Sequence, residues 1–211
     1  MAPPLITITR QYASGGSDIA RLAAQALGWT LIDNEFVDEV ARRAGLPPAE
    51  VAQREERAPG LLERLARTLA VASPELFITG PSVSQVERDE TTIVTLTERI
   101  IHEAADAGRV VLVGRGAQAI LARHSDALHV YVVASKAWRM QLAVERLGVD
   151  PTRVEKVLEE TDRQRDQYVK AHYGRARQEP ANYDLVVNAE RLGFEGAAAL
   201  VVTEAKRRGW S

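Results

Sequence analysis

The sequence predicts an α/β protein: a three-layer, doubly wound sheet of about five parallel strands with helices on both faces, plus a small helical lobe. Three observations predict it. Strand-like and helix-like stretches alternate from end to end without a repeat or a low-complexity linker, the pattern that builds successive βαβ units. The strand-like stretches are short, β-branched and apolar at consecutive positions, as strands buried on both faces are. The 211 residues, 45% hydrophobic and 27% charged, suffice for one substantial core with a small appended lobe, so a single domain over residues 1–211 is expected.

The chain is organised around Leu5 to Leu27. Leu5 to Thr9 reads as a buried strand, and Ile19, Leu22, Ala23, Ala26 and Leu27 then recur at helical spacing. Between them, Arg10-Gln11-Tyr12-Ala13-Ser14-Gly15-Gly16-Ser17 has adjacent glycines that let backbone N–H groups converge at the positive end of the following helix. The loop has the length of the Walker A pattern G-x-x-x-x-G-K-[ST], but only Gly15 and Ser17 fall on it. Arg10 stands at the first glycine position and Gly16 at the lysine position. Taken alone, these residues suit a plain strand-turn-helix connection as well as a phosphate site.

After Gly28, Trp29 to Ile32 reads as a second strand, and Asp33-Asn34 caps a helix of about Glu35 to Ala44. Asp33 stands at a strand's carboxyl end, where open α/β sheets bind ligands, although a cap without a ligand explains it equally. From Gly45 to about residue 82 the pattern loosens into short amphipathic pieces broken by prolines, an inserted helical lobe. Its Arg54, Arg57, Arg64 and Arg67 suit a solvated face paired with Glu50 and Glu63, or a substrate phosphate. A long helix of about Val86 to Ala107 carries a continuous apolar stripe and is a candidate homo-oligomer surface.

Val110 to Val113 is the clearest central strand and ends in Gly114-Arg115-Gly116. A loop that needs only to turn has no use for that guanidinium, which favours an anion-binding role over a surface arginine. Leu128 to Ala134 forms a fourth strand, leading into a helix from Ser135 to Leu147. A helix from Pro151 then breaks at Asp162 to Tyr168, a dense Asp/Arg mixture. Such a mixture suits an exposed salt-bridged face or a lid, of about 160–180, closing over a phosphoryl group. Tyr183 to Asn188 forms a fifth strand and Phe194 to Arg208 a closing helix.

Composition excludes several function classes. A net charge of −2 without a polybasic run leaves no footprint for nucleic acid. The absence of cysteine removes disulfides, thiolate metal sites and cysteine nucleophiles, and His102, His124, His129 and His172 have no metal-ligand spacing. No apolar stretch approaches a membrane span and the first strand follows the amino terminus directly, so a cytoplasmic protein is expected.

With the pieces placed, the sequence resembles the cytidylate kinase-like family of P-loop nucleoside monophosphate kinases. The residues that carry the likeness are ITITRQYASGGSDIARLAAQALGW, VVLVGRGAQAIL, LHVYVVAS followed by Arg139, TDRQRDQYVKAHYG and YDLVVN, in that order. The resemblance implies a P-loop kinase-like fold, ATP and Mg2+ as cofactors, small nucleotide substrates, and transfer of a phosphoryl group from ATP to CMP, dCMP or a related acceptor. It implies that Arg10, Ser14, Gly15, Gly16 and Ser17 hold the ATP phosphates, with Ser17 on the metal and Arg10 replacing the lysine's charge. Asp33, Gly114, Arg115 and Arg139 would hold the acceptor, and Arg163 and Arg165 the transition-state charge, with Arg10, Arg163 and Arg165 as the catalytic group.

Departures from cytidylate kinases open a second class. Gly16 replaces the lysine, Val113 and Gly116 replace acidic residues beside Gly-Arg, and Glu39 stands where an arginine is expected. A catalytically degenerate nucleotide- or phosphate-binding regulatory protein of the same fold is the alternative expectation.

Overall fold

The computed structural model describes residues 2–33 and 83–210. The expected helix of residues 35–44 and the lobe of 45–82, with its arginines, lie outside them. The chain divides into two compact units, residues 1–33 with 105–211, and residues 34–104.

The first unit is built on five strands: β1 (Leu5–Arg10), β2 (Thr30–Asp33), β3 (Val110–Val113), β4 (Ala127–Val133) and β5 (Leu185–Asn188). They form one sheet in the order β2-β3-β1-β4-β5, and every pairing is parallel. The chain leaves β1 toward one side for β2 and β3 and toward the other for β4 and β5. The order therefore reverses beside β1, the place where such sheets bind ligands at their carboxyl edge. The register puts Ile8 beside Val113, Asp33 beside Val113 and Arg10 beside Val132. The Arg10–Ser17 loop, Asp33 and Gly114-Arg115 thus share one edge, as the sequence predicts.

The helices are α1 (Gly16–Leu27), α2 (Val83–Ala107), the single turn α3 (Ala117–Ile120), α4 (Lys136–Leu147), α5 (Val154–Tyr173) and α6 (Ala189–Arg207). Five of the helix boundaries have a clear local cause. Gly28, Gly148 and Gly174 end α1, α4 and α5 in the left-handed conformation that costs glycine least. The side chains of Ser135 and Asn188 cap α4 and α6 by accepting from Trp138 and Arg191 N–H. Two boundaries differ from the expected ones. The Asp/Arg stretch does not break α5: Asp162 and Asp166 sit four residues apart on one face and find basic partners outside the helix, Arg139 and Arg177. The last helix starts at Ala189, with a kink at Gly193 that the sequence pattern hid.

One face of the sheet presents Ile6, Ile8, Leu128, Val130 and Val132 to Ile19 of α1 and Val201 of α6. Alanines 20, 23, 24, 197, 198 and 205 supply most of the helical contribution, so the helices approach closely and pack through many small contacts. Alternation along β1 and β4 sends Thr7, His129 and Tyr131 to the opposite face, where Thr7 Oγ1 and His129 Nδ1 lie 2.7 Å apart. Tyr131 stacks on Tyr183 at 5.0 Å, and burial pushes its phenol up to about 12.

Burial lowers the pKa of His129 against Asp184, which raises it, with Arg175 and Arg208 adding to the lowering. The folded chain therefore favours the neutral ring more than the unfolded chain does. Below its ordinary value of about 6.5 the unfolded chain takes up a proton that the folded chain refuses, so stability is complete above that pH and lost as pH falls. Melting temperature followed by circular dichroism should fall between pH 7.5 and 5.5 in the wild type and fall less in His129→Gln.

Candidate functional site

The loop after β1 is shaped for an anion by what its backbone leaves open. Gly15 (φ 77°) is the N-cap of α1 and no side chain caps that end, so first-turn N–H groups, which have no partner within a helix, point out of the loop. Ala13 is also left-handed, with φ 56°. The Ser14 hydroxyl donates to the Gln11 carbonyl at 2.8 Å and its N–H to the same oxygen at 3.3 Å. Ser14 therefore shapes the turn, while Gly15, Gly16 and Ser17 open the helix. A Cβ on Gly15 would come within 2.1 Å of the Phe194 ring, so the loop's second half lies directly on that side chain.

Asp18, in the first turn, would compete with an anion for the helix end. Its carboxylate is drawn sideways instead, accepting from Arg146 at 3.1 and 3.3 Å and from Arg21 at 3.4 Å.

Arg10 explains both departures from the Walker pattern. It is 7% exposed, and its stem runs over Gly16, where an added Cβ would lie 2.5 Å from the Arg10 Cβ. Its guanidinium ends over Gly114, whose added Cβ would lie 2.0 Å from Arg10 Nη1. The lysine position is a glycine because the arginine passes there, and that arginine carries the positive charge across to the Gly114-Arg115 loop. Arg115, left-handed with φ 50°, has its pKa lowered by burial; Tyr168 and Tyr173 oppose the shift and the Arg10 charge adds to it. The two guanidinium groups thus lie near the same strand end, an arrangement suited to an anionic ligand.

Further charges gather on the other side of the loop. Arg139 donates to the Tyr12 carbonyl at 3.1 Å and to Asp162 at 2.7 Å. Arg165 reaches the Arg10 carbonyl at 3.4 Å and lies over the Tyr12 ring at 5.8 Å. Arg163 is not brought there: it is 60% exposed and pairs with Glu160 at 2.5 Å. Asp33 stands at the carboxyl edge next to Val113, one residue before Gly114.

Sequence reading missed Arg177 and the carboxylates that bind it. Arg177, 5% exposed, donates to the Arg10 carbonyl at 2.8 Å and to Asp166 at 2.6 Å. Arg177 lies after the Gly174 helix stop, in a stretch with no periodicity to place it. The signal present was the i,i+4 spacing of Asp162 and Asp166.

An all-parallel sheet whose first strand runs into an uncapped, glycine-started helix, with arginines converging on that loop, defines a P-loop kinase-type α/β domain. The chain belongs to the cytidylate kinase-like family, whose profile matches residues 5–191. No curated protein matches it. Among solved structures it is similar to an uncharacterized protein from Eubacterium ventriosum ATCC 27560, with TM-score 0.67 and 17% identity over 96% of this chain and 98% of that one. Shikimate kinase from Bacteroides thetaiotaomicron matches with TM-score 0.54 and 15% identity, over 97% and 99% of the two chains. Shikimate kinase from Acinetobacter baumannii, in complex with shikimate, matches with TM-score 0.53 and 13% identity over 98% and 94%. These likenesses establish the fold. No described helix is long and apolar enough to cross a membrane.

The Arg10–Gly16 pairing yields a direct test. Gly16→Lys, which writes in the Walker lysine, should lose about 1–3 kcal/mol of stability by overpacking against the Arg10 stem. Adding Arg10→Gly removes the obstruction, so the double variant should be more stable than the single lysine variant. Urea unfolding of all four members of the cycle measures the coupling.

Proposed function

We propose that the protein is a phosphotransferase that moves a phosphoryl group from ATP to a small phosphate-bearing acceptor, CMP or dCMP foremost. The observation that carries this reading is the course of Arg10, from the ATP-side loop over Gly16 to the acceptor-side loop at Gly114. A cation there lies between donor and acceptor, where transfer moves negative charge.

Such a reaction needs little covalent help, since placing the reactants and neutralising the moving charge make up most of the catalysis. In this reading the amides of Gly15, Gly16 and Ser17 hold the donor phosphates. Arg115 holds the acceptor phosphate, with Asp33 and Gly114 shaping its pocket at the same edge. Arg10 and Arg165 stabilise the charge that develops between them; Arg163 joins them only if α5 turns. Arg139 acts from behind the loop.

Among the described residues no group of three or more His, Asp or Glu could hold a metal ion. A magnesium ion carried by nucleotide phosphates needs only one or two protein oxygens, and the Ser17 hydroxyl, in the first turn of α1, is the donor of the right kind. When bound, the ion would neutralise phosphate charge.

The test is ADP release from ATP and Mg2+ against a panel of nucleoside monophosphates and small hydroxy acids. Turnover should be greatest with a cytidine monophosphate. Arg10→Ala should lower kcat by about a hundred- to a thousandfold, the usual loss of one preorganised charge. Arg115→Ala should mainly raise the acceptor KM, and Arg165→Ala should lower kcat more than Arg163→Ala. If ATP binds calorimetrically while no acceptor is turned over, the kinase reading falls and the protein is a nucleotide-responsive binding module.

A further inference from the structure

The helix whose Asp/Arg mixture suits an exposed salt-bridged face or a lid is bonded to the phosphate loop through the Asp162 carboxylate. Asp162, on α5, accepts from the Tyr12 N–H at 2.9 Å through Oδ1 and from Arg139 at 2.7 Å through Oδ2. The same Arg139 Nη1 donates to the Tyr12 carbonyl at 3.1 Å. One ion pair therefore grips the N–H and the C=O of the same loop residue. Arg177 adds a longer contact to Asp162 Oδ1 at 3.4 Å while holding the Arg10 carbonyl at 2.8 Å.

The residues between are tied to the sheet. Gln11 N–H donates to the Val132 carbonyl at 3.1 Å, and the Gln11 side-chain oxygen accepts from Ala134 N–H at 3.0 Å. Tyr12 and Ala13 also pack against Val154, Leu158 and Ala143, joining α4 and α5 beneath the loop. Residues 10–12 are thus fixed by β4, α4 and α5, and Gly15–Ser17 follow them at the uncapped start of α1.

We infer that Asp162 is a positioning residue for this site: it presets the first half of the phosphate loop through the Tyr12 peptide and ties α5 to it, without touching the ligand. The inference rests on the reading of the loop as a phosphate site. Its energetic basis is preorganisation, since a loop already held in its bound shape loses less freedom when an anion arrives. Asparagine cannot replace the carboxylate. Turning its oxygen to Tyr12 sets its NH2 against Arg139, and turning it to Arg139 sets the NH2 against the Tyr12 N–H.

The experiment compares wild type, Asp162→Asn and Arg139→Gln, with amide hydrogen exchange at Arg10 to Ser17, calorimetric titration with ATP and Mg2+, and urea unfolding on the same samples. The Tyr12 amide should be protected in the wild type and exchange at least about tenfold faster in Asp162→Asn, the loss of one charge-assisted bond. Amides of β1 and β4 should keep their protection, which a general loss of stability would not allow. The ATP Kd should rise by about the same factor, and Arg139→Gln should shift both readouts in the same direction. If Asp162→Asn does not fold, Arg139→Gln decides by the same two readouts. Unchanged exchange at Tyr12 in the folded variants overturns the inference. Tighter ATP binding in Asp162→Asn also overturns it, because the carboxylate would then be a competitor of phosphate for the loop. If the wild type binds no ATP, the phosphotransferase reading fails, while exchange at Tyr12 still decides whether Asp162 sets the loop.

Discussion

The passage of the Arg10 side chain from Gly16 to Gly114 is the constraint on which the candidate site depends. Two chain segments far apart in sequence have to leave a channel free of Cβ atoms, and each does so with a glycine. At Gly114 the backbone is also left-handed, with φ 80°, so a side chain there would meet both strain and the guanidinium. Position 16 has no such backbone demand. Its glycine is required by the neighbouring arginine stem, and the missing lysine and the extra arginine are one arrangement rather than two losses.

Burying so much positive charge requires its own counterweight. Arg139 and Arg177 are both buried, and the structure meets the cost locally with Asp162, Asp166 and the carbonyls of Arg10 and Tyr12. Burying an ion is expensive unless every partner is in place. The same contacts that satisfy the arginines hold the loop and α5 together, so charge compensation and site geometry have a common origin. In the first turn of α1, Arg146 and Arg21 withdraw the Asp18 carboxylate from the helix start.

Much of the fold was legible in the residues themselves. The short, mostly apolar runs Leu5 to Thr9, Val110 to Val113 and Leu128 to Ala134 suit strands covered on both faces, and glycines 28 and 108 mark where the helices before them stop. That local chemistry acts over a few residues and so can be read from a few residues. The break expected in α5 at Asp162 was not there, because Asp162 and Asp166 are paired by Arg139 and Arg177 from outside the helix, while Arg163 pairs with Glu160 one turn back. The kink at Gly193 inside α6 was hidden for the opposite reason, since a single glycine among helix formers leaves the period intact.

For the site, the sequence determined the kind of chemistry: a glycine-bearing loop at a strand end, an arginine between two glycines at another, and an Asp/Arg mixture late in a helix. Parallel pairing alone then brings the first two to a shared edge. Only the tertiary structure decided how the arginines divide. Arg163 and Arg165 are two residues apart on one helix, so they point in different directions, one to Glu160 and solvent and the other to the Arg10 carbonyl. Arg177 enters the site because the chain turns back after Gly174 and Tyr183 accepts that turn by donating its hydroxyl to the Arg177 carbonyl at 2.6 Å. The contacts of Arg165 and Arg177 with the Arg10 carbonyl join positions 155 and 167 residues apart. A pattern read along the sequence cannot hold that information, because burial and charge compensation are properties of the packed molecule.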